Sequence, residues 1–165
     1  MASVNSPFRR IIKPILRKVL NKKAYLWFLL FGKIRDINHR LVEEPEMELL
    51  PYFIKNEDHV IDIGANYAYY SVRMAKLCKA GKVFSFEPIP STYWVCKKIL
   101  SFFKLKNVQL FDLGVAEKTS KVVFEIPLQE TGVPSAGQAH MASRNNFISG
   151  GSEYYSFTKK KLVEC

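Results

Sequence analysis

His59-Val-Ile-Asp-Ile-Gly-Ala-Asn-Tyr-Ala-Tyr-Tyr-Ser71 reads as a buried strand, a tight turn and the start of a helix. Val60, Ile61 and Ile63 flank Asp62, which suits a short strand covered on both faces, as strands of a parallel sheet are. Gly64 ends it. Where a strand turns directly into a helix, small residues let the backbone approach a ligand. The amide N–H groups of the helix N-terminus then face that ligand. Gly64, Ala65 and Ala68 supply the smallness, so the stretch has the form of a cofactor-binding turn.

An acid downstream narrows the ligand. A helix-like run from Tyr69 to Cys78 breaks at Ala80-Gly81, and a second apolar strand, Lys82-Val-Phe-Ser-Phe86, closes on Glu87-Pro88. Glu87 stands 25 residues beyond Asp62. An acid at the tip of the second strand of a βαβ unit reaches the two hydroxyls of a ribose, which predicts a nucleoside-type cofactor. A dinucleotide fingerprint needs Gly-x-Gly-x-x-Gly with no acid inside the strand. The turn here is Gly64-Ala-Asn-Tyr-Ala68, without that triad.

Asp62-Ile-Gly64-Ala-Asn66, with Tyr69-Tyr70-Ser71 and Phe86-Glu87-Pro88, resembles the S-adenosylmethionine-dependent methyltransferases of the FkbM family. The resemblance runs from Glu44-Pro45-Glu46 to about Phe124. It implies methyl transfer from S-adenosylmethionine to a hydroxyl of a sugar or a small-molecule or polyketide acceptor. It implies also that Asp62, Gly64, Ala65, Asn66, Ala68 and the amides near Tyr69 hold the amino-acid end of the cofactor, and Glu87 its ribose. Glu44 and Glu46 would lie near the cleft, although an acidic helix start, favoured by the helix dipole, explains them equally well. The family usually carries Gly where this chain has Ala68. At positive φ an Ala costs on the order of 1 kcal/mol, and its methyl would crowd the cofactor.

Beyond Glu87, Pro90 to Phe103 has apolar positions at helical intervals, and Asn107-Val-Gln-Leu-Phe111 forms a third strand. Asp112 is the candidate to accept a hydrogen bond from the adenine amino group, with Glu117 in reserve; for each, a loop acid with no ligand is the alternative. Lys121 to Ile126 reads as a further strand stopped by Pro127, and Tyr154 to Phe157 as a short one. Between Leu128 and Ser152 periodicity disappears, the composition of a lid or substrate loop. His140 within it is either a general base or an exposed histidine with no role. A complete doubly wound methyltransferase sheet takes more than about 200 residues. The expected architecture is therefore α/β, a Rossmann-like doubly wound methyltransferase sheet, incomplete at the C-terminus, over residues 43-165. A basic helical arm, residues 1-42, precedes it. No metal is implied and no catalytic residue can be assigned.

The net charge of +10 is concentrated in that arm. Ten Lys and Arg face Asp36 alone in residues 1-42, leaving fifteen basic and fourteen acidic residues for the remainder. A basic arm on a neutral domain predicts contact with an anionic surface, lipid headgroups or nucleic acid, and no specific nucleic acid is expected. Phe8, Ile11, Ile12, Ile15, Leu16, Val19 and Leu20 recur at helical spacing, with Lys and Arg largely between them, although Pro14 interrupts or starts the helix. The continuous apolar run Ala24 to Phe31 is eight residues, far short of the roughly 20 that cross a bilayer. Two readings stay open for residues 8-31: peripheral contact with an anionic membrane, anchored by Trp27 and the phenylalanines, or packing on the sheet.

Gly32-Lys-Ile-Arg35 offers no cleavage site, so cytoplasmic placement, or a membrane-peripheral one, is expected. Cys78, Cys96 and Cys165 show neither paired nor metal-ligand spacing and read as reduced, structural thiols. Three functional classes follow: a methyltransferase, a peripheral membrane-associated binding protein whose turn holds nothing, and an NAD-type oxidoreductase.

Overall fold

Apolar strands of four or five residues alternate with helices of nine and thirteen, and they assemble as a parallel sheet. The computed structural model describes residues 7–42, 44–116, 120–127, 140–141 and 152–160. In chain order the elements are α1 (Pro7–Val19), α2 (Lys22–Asn38), α3 (Pro45–Phe53), β1 (His59–Ile63), α4 (Tyr69–Leu77), β2 (Lys82–Phe86), α5 (Pro90–Phe102) and β3 (Val108–Phe111). They continue with β4 (Gly114–Val115), β5 (Ser120–Pro127), β6 (His140–Met141) and β7 (Ser152–Lys160). Two compact units result, one of Leu26–Asp112 and one of Met1–Tyr25 with Leu113–Cys165.

In the Leu26–Asp112 unit the strands lie in the order β1-β2-β3, all parallel. Ile63 pairs with Phe86 and Phe86 with Phe111, so the three strands end level. Proline stands in the first turn of α3 and of α5, where its missing N–H costs nothing. Gly81 is required by a close backbone approach: a Cβ there would sit 1.9 Å from the Asp58 carbonyl oxygen.

The helices cover one face of this sheet. Leu30 and Ile34 of α2, Val72 of α4 and Val95, Cys96, Ile99 and Leu100 of α5 form one buried cluster with Ala65 and Ala68, and Val108 and Leu110 of β3 pack against it. Ala75, Cys78 and Val83 form a second. The strand was expected to be covered on both faces, and it is not. Ile61 and Ile63 are 52% and 62% exposed, while Asp62 between them is buried. Side chains alternate along a strand, so Ile61 and Ile63 share the more exposed face and Asp62 the buried one.

One side of the apolar run in α2 packs on the domain, while Trp27 and Phe31 stay 38% and 63% exposed. Leu30 and Ile34 enter the core and Trp27 meets Trp94 edge-on at 5.3 Å. Among the described residues no helix is long and apolar enough to cross a membrane.

In the other unit, β5 and β7 pair antiparallel from Ser120↔Lys159 to Pro127↔Ser152, in a sheet of order β4-β7-β5-β6. The strands expected at 121–126 and 154–157 are thus present and longer. His140 falls on β6, opposite Glu125. Glu43, Glu117, Cys165 and the rest of the irregular stretch lie outside the described residues.

Candidate functional site

The level strand ends place three of the sequence candidates in a row. Gly64, Glu87 and Asp112 each follow directly on the paired residues Ile63, Phe86 and Phe111. The carboxyl edge of a parallel sheet is where open α/β folds hold ligands, because loops and helix N-termini converge there.

The turn from β1 to α4 is built on left-handed backbone. Gly64 has φ +81, Asn66 φ 48 and Ala68 φ 60. Ala68 serves as the N-cap residue of α4 without a side-chain cap. The positive φ anticipated for Ala68 is therefore present, with its cost on the order of 1 kcal/mol. Its side chain, however, is fully buried in the helix-side cluster. The methyl meets protein there, so the crowding expected in the cleft does not follow.

The turn amides are already used. Gly64 and Ala65 both donate to the Phe86 carbonyl at 2.9 Å, and Ala68 donates to Ala65 at 2.8 Å. The Asn66 N–H donates to Glu87 Oε2 at 2.8 Å. Of the amides expected to face a ligand, these four bind the protein itself, because two parallel strand ends leave carbonyl and carboxylate acceptors within reach.

Glu87 is 4% exposed. Its Oε1 accepts from the Ile89 N–H at 2.9 Å and its Oε2 from Asn66, so the acid at the tip of β2 clamps the turn after β1. Each carboxylate oxygen keeps a second lone pair for a ligand hydroxyl. Asp62 faces the helices, where the Ser71 hydroxyl donates to its Oδ2; Ser71 Oγ also lies 2.9 Å from Ser85 Oγ. Burial pushes both carboxyls above the ordinary range. The Ser71 hydrogen bonds oppose this for Asp62, and the Ile89 and Asn66 amides oppose it for Glu87, whose ionisation is further disfavoured by the charge of Asp62. Among the described residues no cation forms an ion pair with either.

Asn66 adds an unsatisfied group. Its side-chain oxygen is buried and has no hydrogen-bond partner among the described residues, a condition that ordinarily marks a missing donor. On the α3 side, the Tyr70 hydroxyl donates to Glu44 at 2.6 Å, which pushes its pKa up to about 12. Glu44 is thereby brought to the start of α4. Lys33 of α2 holds its ammonium 4.3 Å from the Tyr67 ring and 5.4 Å from that of Tyr69. Asp112 is exposed at the tip of β3.

Ser85 is the participant outside the residues that the sequence assigns to the site, while Tyr70 and Ser71, part of the motif, gain side-chain roles that the sequence does not assign. Ser85 had a signal: it interrupts an apolar strand at the same parity as the inward Val83. Cys78 and Cys96 are buried free thiols, each raised in pKa chiefly by that burial, which suits inert packing residues. No three His, Cys, Asp or Glu side chains among the described residues are grouped to hold a metal.

No family model matches the sequence, and no curated protein does. Solved structures with partial similarity include an rRNA methylase from Streptococcus thermophilus, at 21% identity and TM-score 0.40 over 44% of this chain and 41% of that one. A SAM-dependent methyltransferase from Aquifex aeolicus is 23% identical, TM-score 0.39, over 47% and 40% of the two chains. The precorrin-6y C5,15-methyltransferase of Geobacter metallireducens is 24% identical, TM-score 0.38, over 42% and 38%. The chain spans about two-fifths of the length of these structures. With identities below 25% and TM-scores below 0.5, the functional reading rests on the geometry of the turn.

Proposed function

We propose that the chain is an S-adenosylmethionine-dependent methyltransferase of the FkbM type, and that it methylates a hydroxyl of a sugar or a small-molecule or polyketide acceptor. The supporting observation is the pair of buried carboxyls, Asp62 and Glu87, set beside a left-handed turn whose Asn66 oxygen lacks a donor. Such a site favours a ligand that brings positive charge and N–H donors, because both relieve what burial costs these groups. S-adenosylmethionine has both, on its sulfonium and ammonium groups. In a dinucleotide the pyrophosphate would add negative charge next to the two acids.

In this reading the second lone pairs of Glu87 accept the ribose hydroxyls, Asn66 Oδ1 accepts from the ammonium, and exposed Asp112 takes the adenine amino group. Gly64 and Ala68 shape the turn, and Asp62 holds the start of α4 through Ser71. When bound, the cofactor supplies a methyl group on a positively charged sulfur. The protein then chiefly orients and desolvates, since aligning nucleophile, carbon and leaving group accounts for much of such an acceleration. The acceptor is a small molecule or glycan.

Calorimetric titration of the whole chain with S-adenosylhomocysteine, with NAD in parallel and Glu87→Ala as control, tests the reading. Saturable binding of the former, at least tenfold weaker in a folded Glu87→Ala variant, supports it. Saturable NAD binding instead, or no binding of either ligand by a chain with a cooperative melt, overturns it.

A further inference from the structure

One edge of α1 does not find a core, although Ile12 and Leu16 beside it are half-buried. Ile11, Ile15 and Val19 are 63%, 53% and 74% exposed. Their spacing of four residues puts them on one stripe along the helix. Folding has thus left three β-branched side chains in water in a row, while the comparable positions of α2, Leu30 and Ile34, are buried.

The charge beside the stripe is of one sign. The segment Pro7–Val19 has no acidic residue, and Lys13, Arg17 and Lys18 lie between its apolar positions. Arg17 holds its guanidinium 6.0 Å from the Tyr25 ring. A polyanion in water, such as nucleic acid, would use the cations and gain nothing from exposed isoleucines. A lipid bilayer with anionic headgroups uses both: the aliphatic stripe enters the acyl boundary while the cations stay at headgroup level.

We infer that α1 is an interfacial anchor for an anionic bilayer, lying in the membrane plane with the Ile11-Ile15-Val19 edge inserted. The insertion edge is therefore on α1. Trp27 of α2, the anchor the sequence suggests, meets Trp94 edge-on and is 38% exposed, against 53% to 74% along the α1 edge. The inference stands independently of the methyl-transfer reading.

Co-sedimentation of the whole chain with vesicles of phosphatidylcholine, and of phosphatidylcholine with about one-third phosphatidylserine, tests it. The expected result is partition onto the anionic vesicles only, reduced at least tenfold by Ile15→Glu and by Val19→Glu, and less by Lys18→Ala. These positions are exposed, so the variants should retain the parent melt. Partition untouched by both apolar substitutions would overturn the inference, as would no partition by the folded chain. Tighter binding to a duplex or single-stranded oligonucleotide, lost in Lys18→Ala and kept in Ile15→Glu, would assign the arm to nucleic acid instead.

Discussion

The carboxylate of Glu87 accepts a hydrogen bond from the backbone N–H of Asn66 at 2.8 Å, tying the tip of β2 to the turn that leaves β1. Its other oxygen holds the Ile89 N–H at 2.9 Å. Glu87→Gln keeps the shape but turns one acceptor into a donor facing a buried N–H. Loss of about 1–3 kcal/mol is expected, measured as a fall in the urea midpoint at unchanged slope. A variant as stable as the parent would show that the clamp contributes nothing.

Ser71→Ala removes a hydroxyl that serves Asp62 and Ser85 together. Both are left buried without that partner, at a cost of about 1–3 kcal/mol. Because the Ser71 hydrogen bonds pull the Asp62 pKa down against burial, the substitution should also raise that pKa further. Carboxyl chemical shifts followed through a pH titration read this directly.

The raised carboxyls set a sign for pH dependence. With the folded pKa above the unfolded one, the native state binds more protons between the two values, so stability falls as pH rises through that interval. The interval opens at the ordinary unfolded values, about 3.9 for Asp and 4.3 for Glu. It closes where the folded carboxyls ionise. Denaturation midpoints measured from pH 4 to 8 should decline over this window, and Asp62→Asn should flatten the decline. A rise with pH that Asp62→Asn leaves unchanged would contradict the assignment.

Gly81→Ala would push a methyl to 1.9 Å from the Asp58 carbonyl oxygen and 2.8 Å from the Glu57 carbonyl carbon. The obstruction is backbone, so the entry to β2 must shift. A cost of about 3 kcal/mol or more is expected, visible as a large drop in melting temperature.

Ala68→Gly balances opposing effects. Relief of left-handed strain is worth about 1–2 kcal/mol, against about 0.8 for the buried methyl and about 0.4–1 for unfolded-chain entropy. Stability should stay within about 1 kcal/mol of the parent. Affinity for S-adenosylhomocysteine should change less than threefold, since the methyl lies in the core. A tenfold tightening would show that it crowds the cofactor after all.

Much of the sheet and the position of the turn were legible in the chain because they depend on local signals. Short apolar runs, Gly64, Gly81 and the proline start at Pro90 act over a few residues, and α4, α5 and β1 to β3 formed within a few residues of where these signals put them, whereas β4 and β6 had no such signal. Glu87 was legible as an acid at a strand tip. Its clamp on Asn66 was not, because that contact spans 21 residues and depends on β1 and β2 ending level.

The sequence by itself determined the alternation of strand and helix, the tight turn at Gly64 and the segregation of positive charge into the first 42 residues. Only the tertiary structure decided which apolar residues found partners. Ile61 and Ile99 are equally apolar, yet one is half exposed and the other fully buried. Burial is a property of the surface that packs against a residue, and that surface comes from distant parts of the chain. For the same reason the buried serines joined to Asp62, and the exposed edge of α1, emerged only once the helices had taken their places.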